Sequence, residues 1–97
     1  MRLSGDNRIM KIDLKKFGDI LVSRPAGREA YLAMSAYITK DLKEGEEVVV
    51  DFLGVKVLTP SWADEVISKL AQHYKVRFEN TDNPTVKATL KTLLINI

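Results

Sequence analysis

The apolar run EVVVDFL, residues 47–53, constrains the fold of this chain more than any other segment. Its consecutive β-branched residues favour a strand, and a run without polar alternation is typical of a strand that is covered on both faces. Strands of this kind belong to parallel sheets, in which helices usually form the crossover connections. The run therefore predicts an α/β domain in which this segment is the central strand.

Three further segments have strand patterns. MKIDL and YKVRFEN alternate apolar and polar residues, and DILVS is a short apolar run. The glycine of KKFGD lies between MKIDL and DILVS, and we therefore expect these two strands to form a hairpin. The segment GVKVL either extends the central strand or forms a short edge strand.

Apolar residues recur at helical spacing in two segments that flank the central strand. The first helix is predicted at about residues 28–43, and Gly45 follows it as a left-handed cap. The second helix is predicted to begin at Pro60 and to carry an apolar face as far as Tyr74.

A third helix is predicted at residues 81–94, with Asp82 or Asn83 as its cap and Pro84 near its first position. The element order is then β-β-α-β-α-β-α. Alternation of strands and helices predicts a mixed, mostly parallel sheet with right-handed crossovers. The fold class is α/β.

The chain of 97 residues is long enough for one domain, which we place at residues 9–97. Residues 1–8 are mostly polar and are expected to be flexible. No apolar run approaches the roughly 20 residues needed to cross a bilayer, and the first residues contain no hydrophobic signal core. We therefore expect a soluble cytoplasmic protein with no membrane span.

The residue types in the chain do not support the common catalytic and metal sites. It has no cysteine, a single histidine (His73) and no glycine-rich phosphate loop. Asp51 ends the central strand, where a receiver-type phosphoacceptor would stand, but KIDLKKFGD lacks the adjacent acids that such a site needs. The net charge of +2 does not favour a nucleic-acid partner. We predict no catalysis, no metal and no cofactor.

Two hydroxyl residues lie where the second helix begins. Thr59 followed by Pro60 matches an N-cap with proline at the first helical position. Ser61 with Asp64 three residues later matches a capping box. From the residues alone, a helix cap is a sufficient explanation of both hydroxyls, and a functional role is the alternative.

The segment VVVDFLGVKVLTPSWADEVISKL, residues 48–70, resembles the central strand, loop and helix of STAS domains, the fold of bacterial anti-sigma factor antagonists. It is most similar to the STAS-like family of unknown function, in which Asp-Phe, Gly-Val, a hydroxyl-bearing turn and Ala-Asp-Glu follow one another. GDILVSR, residues 18–24, is similar to the upstream strand of that family. The resemblance implies a small STAS-like domain with a regulatory, non-enzymatic function.

In the antagonists, an anti-sigma kinase phosphorylates a loop serine and so controls partner binding. The resemblance implies Ser61 as the candidate phosphoacceptor and Thr59 as the second choice, with an anti-sigma-type, histidine-kinase-like ATPase as the protein partner in a partner-switching system. It implies partner binding at Trp62, Asp64 and Glu65. Trp62 stands where the usual Asp-Ser-Ser-Gly loop has glycine, and it either joins the core or projects at the docking surface.

Arg24 and Arg28 are candidate anion-holding residues. If DILVS and EVVVDF are parallel neighbours, either arginine faces the Ser61 loop, where it is able to hold a phosphate. The alternative is that Arg24 pairs with a nearby acid.

Two other functions are compatible with the same sequence. One is a small-ligand or nucleotide-binding module at the strand-end edge, and the other is a structural or dimerisation module without a switch.

Overall fold

The computed structural model describes residues 9–93 of the chain. The strands are β1 (Ile9–Asp13), β2 (Ile20–Leu21), β3 (Glu47–Asp51), β4 (Val57–Leu58) and β5 (Lys75–Glu79). The helices are α1 (Arg24–Tyr37), α2 (Pro60–Ala63), α3 (Lys69–His73) and α4 (Pro84–Thr92), with a 3-10 helix at Leu14–Phe17. A π-helical turn, Asp64–Ser68, joins α2 to α3, and we call residues 60–73 the composite helix.

Two of the sequence predictions lie outside the described residues. They are the flexibility expected of residues 1–8 and the last residue of the predicted third helix, Leu94. The cap of that helix is confirmed, because Asn83 Oδ1 accepts from the N–H groups of Thr85 (2.8 Å) and Val86 (3.2 Å). Pro84 is its first residue, as predicted.

Every strand pairing within residues 9–93 is parallel, and β3 is central in the three-stranded order β1-β3-β5. The α/β class and the central position of EVVVD are therefore confirmed. GVKVL does not extend β3, because it contributes the separate strand β4, which pairs with β2 in a second, two-stranded sheet. The predicted element order is confirmed apart from this added strand.

The predicted hairpin between the first two strands is wrong. After β1, the carboxylate of Asp13 accepts from the N–H of Lys15 (3.2 Å) and starts the 3-10 helix. Leu14 is buried, and Gly18, at φ 125°, turns the chain only after this helical segment. The chain is thus carried away from β1, and β2 pairs with β4 instead.

The first helix begins and ends earlier than predicted. Ser23 caps it by accepting from the N–H of Ala26 (3.3 Å), and Pro25 lies in its first turn, so the helix begins at Arg24. It ends at Tyr37. Gly45 has the left-handed φ of 84° that was expected, but it lies in the loop before β3 and is not a helix cap.

The two faces of the three-stranded sheet differ. Val48 and Val50 pack into the core with residues of the helices, among them Met34, Trp62 and Leu90. Val49, on the opposite face, is also buried but does not belong to this core.

The register places Lys11 and Arg77 on either side of Val49, so charged side chains flank it on this face. Arg77 Nε lies 2.7 Å from Glu47, and Lys11 Nζ lies 3.3 Å from Glu79. The expectation that the central strand is covered on both faces is confirmed, because Val48, Val49 and Val50 are all buried. On the face of Val49, long charged side chains of the two neighbouring strands contribute to this cover.

Candidate functional site

Thr59 stands at the N-cap of the composite helix, in the extended conformation expected there, but its hydroxyl does not cap the helix. The hydroxyl and the N–H of Thr59 both donate to the carbonyl of Leu21, at 3.4 and 3.1 Å. Pro60 is the first helical residue, as predicted. The threonine therefore ties the start of the composite helix to β2.

Ser61 is the second residue of the composite helix, and its side chain is exposed. The predicted capping box with Asp64 is wrong, because Ser61 lies inside the helix and no side chain caps this helix start. Within residues 9–93, the Ser61 hydroxyl makes no hydrogen bond. The hydroxyl of Ser61 is thus accessible, and no polar contact of the fold within residues 9–93 depends on it.

Arg24 connects the start of α1 to the composite helix. Its Nη1 lies 2.9 Å from Asp64 Oδ2 and 2.9 Å from Glu65 Oε2. Lys69 Nζ lies 2.8 Å from Glu65 Oε1, and Arg28 Nη2 lies 3.8 Å from Glu65 Oε2. We call these five residues the ion-pair cluster, and it lies beside the exposed Ser61 hydroxyl, one turn along the helix.

The hydrogen bonds of this cluster keep its carboxylates ionised. Lys69 and Arg24 lower the pKa of Glu65 to about 2 from the usual 4.5. Arg24, with a smaller contribution from Ser68, lowers the pKa of Asp64. The two carboxylates in turn raise the pKa of Arg24. A buried glutamate is tolerated here because three cations surround it.

The sequence leaves two roles open for Arg24, which either holds an anion at the Ser61 loop or pairs with a nearby acid. DILVS and EVVVDF are not neighbours, because β2 pairs with β4 and β1 pairs with β3. Arg24 nevertheless reaches the composite helix, where it pairs with Asp64 and Glu65, as the alternative interpretation expected. An anion at this position would therefore compete with two carboxylates for the guanidinium.

Trp62 joins the core, with 2% of its surface exposed. Glu65 is also buried, so the surface near Ser61 is formed by the half-exposed side chains of Asp64, Arg24 and Arg28. Of the residues predicted to bind a partner, the structure thus brings Asp64 to the surface and places the other two beneath it.

Gly27, which the sequence patterns did not single out, lies where α1 contacts the composite helix. It lies in α1, where a Cβ atom would be 2.7 Å from the carbonyl oxygen of Trp62 and 3.1 Å from Glu65 Cβ. Only a glycine allows α1 to approach the composite helix this closely. Its helical spacing from Ala30 and Met34, which are also buried, is the signal that would have placed it on the inner face.

Asp51 lies at the carboxyl end of β3, in register with Asp13 and Glu79. Its Oδ1 accepts from Asn80 Nδ2 (2.7 Å) and from the N–H of Leu53 (3.0 Å), and the bond from Asn80 lowers the pKa of Asp51. The part of the chain in the structure contains no group of acids or histidines arranged to hold a metal ion. Asp51 acts here as an acceptor that holds two loops.

None of the helices within residues 9–93 is long and apolar enough to cross a membrane. The model of a family described as a STAS-like domain of unknown function (DUF4325) matches residues 36–85, half of the chain. The match includes all of the strand, loop and helix at residues 48–70 and confirms the resemblance to this family, whereas GDILVSR, residues 18–24, lies outside the matched range. No curated protein and no solved structure matches the chain.

Proposed function

Because the chain belongs to the family of STAS-like domains of unknown function, we propose that it is a non-enzymatic regulatory domain that binds a protein partner at the start of the composite helix. The proposed partner is a histidine-kinase-like ATPase of the anti-sigma type, in a partner-switching system. The proposed control is phosphorylation of Ser61. Thr59 is the second candidate acceptor.

The observation that carries this proposal is the state of the Ser61 hydroxyl. It is exposed and makes no hydrogen bond within residues 9–93, so its modification requires no native bond to break. The Thr59 hydroxyl is half-buried and donates to Leu21, so its modification would disrupt the junction with β2. Ser61 is therefore preferred over Thr59.

A phosphate at Ser61 would change the charge of the surface that we assign to the partner. It adds a charge of about −1.5 to −2 at neutral pH. Asp64 and Glu65, three and four residues further along the same helix, would repel it, whereas Arg24 and Arg28 would attract it. We expect these opposing effects to leave the stability of the domain nearly unchanged and to alter partner binding.

Incubation with an ATPase of the proposed anti-sigma, histidine-kinase-like class and with ATP tests the proposal by intact mass spectrometry. We expect one phosphate on the wild type, none on Ser61→Ala and one on Thr59→Ala. Ser61→Ala is a suitable variant because the hydroxyl it removes makes no hydrogen bond in the described residues. A phosphate that persists in Ser61→Ala, or no modification together with undiminished binding, would contradict the assigned switch.

A further inference from the structure

Within residues 9–93, β2 pairs with β4 on one edge only, and its other edge has unpaired backbone groups. Parallel pairing directs the carbonyls of Asp19 and Leu21 towards β4. The carbonyl of Asp19 accepts from the N–H groups of Lys56 (2.7 Å) and Val57 (3.1 Å), and that of Leu21 accepts from Thr59 (3.1 Å). Because the direction of backbone groups alternates along a strand, the N–H and C=O groups of the alternate residues point away from β4.

These alternate residues are Ile20, which lies between Asp19 and Leu21, and Val22, which follows Leu21. The register of β2 on β4 leaves their backbone groups unpaired, and these groups make no other hydrogen bond within residues 9–93. Their side chains are also unusually accessible for apolar residues, with 59% of Ile20 and 40% of Val22 exposed. An unpaired edge with exposed apolar side chains is able to receive another extended chain.

A groove of about 330 Å³ lies next to this edge, between β2 and the side of α1 that carries Ala26, Ala30 and Ala33. Trp62 contributes to its lining from beneath. The other lining residues are Phe17, Ile20, Leu21, Val22, Ala26, Glu29, Ala30 and Ala33. The three alanines of α1 have small side chains, so the groove has room for an apolar side chain of another molecule.

Glu29 is the charged residue in this lining. Its carboxylate forms no ion pair or hydrogen bond with any other residue of the described part of the chain. A carboxylate at the border of an apolar groove favours a ligand that combines an apolar group with a cation. Charge complementarity therefore restricts the chemistry of the occupant.

We propose that β2 and this groove bind an extended segment of a partner protein by strand addition. The segment pairs its backbone with Ile20 and Val22, inserts an apolar side chain over Trp62 and directs a lysine or arginine on the same face towards Glu29. This site is separate from the Ser61 hydroxyl. It stands whether or not Ser61 is modified.

The probe is a panel of end-capped peptides of about seven residues. Threonine occupies every second position, and the positions between the threonines carry an apolar residue or lysine, so that the apolar side chain and the lysine lie on the same face of the extended peptide. Binding is measured by fluorescence anisotropy, and amide chemical shifts locate it on the full chain. We expect saturable binding that shifts the amides of Ile20 and Val22. Glu29→Lys should weaken it by about tenfold, and a peptide with glutamate in place of lysine should restore it.

Two further variants test the groove and the edge separately. Ala33→Phe fills the groove and should abolish binding, whereas Ala36→Phe, on the exposed side of α1 and outside the lining, should not change it. Val22→Pro removes an N–H that the fold does not use, and proline is tolerated on an edge strand. It should weaken binding without unfolding the domain, and the amide spectrum checks the fold of each variant.

Three results would overturn the proposal. The first is that no peptide of the panel binds. The second is binding that is insensitive to Ala33→Phe, Val22→Pro and charge exchange at Glu29. The third is a concentration-dependent dimer that Ala33→Phe dissociates, because this edge would then belong to a second copy of the chain.

Discussion

At the scale of single residues, the buried carboxylate of Glu65 makes the domain sensitive to acid. Its pKa in the folded protein is about 2, below the usual 4.5, because Lys69 and Arg24 bond to the ionised form. A lowered pKa stabilises the fold above the unfolded value, and this contribution is lost as the pH falls from about 4.5 towards 2.

We therefore predict that Glu65→Gln has a flatter stability profile in acid than the wild type. Urea unfolding between pH about 6 and about 2 measures the free energy of unfolding of both. The wild type should lose more of it in this range. Glu29→Gln is the matched control, since Glu29 makes no ion pair in residues 9–93, and parallel profiles of all three proteins would contradict the prediction.

At the scale of elements, the close approach of α1 and the composite helix determines where Arg24 can reach. Gly27→Ala should destabilise the domain by about 1–3 kcal/mol, although alanine favours a helix by about 1 kcal/mol over glycine. The reason is the 2.7 Å approach of the added Cβ to the carbonyl oxygen of Trp62. Thermal unfolding tests this, with Ala36→Leu as a control that adds bulk on the exposed side of α1. A Gly27→Ala variant as stable as the wild type would show that the helices separate freely.

Local signals predicted some elements and misled others. Asn83 and Pro84 correctly mark the start of α4, because the cap depends only on neighbouring residues. Ser23 ends the segment DILVS, which the sequence pattern predicts as a strand, but in the structure Ser23 caps α1 and Pro25 lies in the first turn of that helix. The run of valines in β3 correctly predicts a strand that is buried on both faces, but the run does not reveal that long charged side chains flank Val49 on one of them. Burial by such side chains leaves no signal in the strand itself.

At the scale of the whole molecule, contacts between distant segments were the least predictable. The α/β class and the central strand follow from the alternation of patterns along the chain. The pairing of β2 with β4, and of Arg24 with acids some 40 residues further on, depends on three-dimensional proximity that no local pattern encodes. The candidate hydroxyls were identified from the sequence, whereas the free state of Ser61 and the bonded state of Thr59 required the structure.

The molecule has two separate candidate binding surfaces, and both lie next to the buried Trp62. Ser61 and the ion-pair cluster lie at the start of the composite helix, and the β2 edge with its groove lies beside the same residue, Trp62. We expect a partner at the first surface to respond to charge at Ser61, and a peptide at the second to respond to groove filling.

The most direct test of the proposed switch is the affinity of the domain for an ATPase of the proposed anti-sigma, histidine-kinase-like class, measured by calorimetry with Ser61 unmodified and with Ser61 phosphorylated. We predict that phosphorylation weakens binding by at least about tenfold, while Ser61→Ala binds like the unmodified wild type. Unfolding experiments on the same samples should show nearly equal stability. Equal affinity of the modified and unmodified domains would contradict the assignment of Ser61 as the switch.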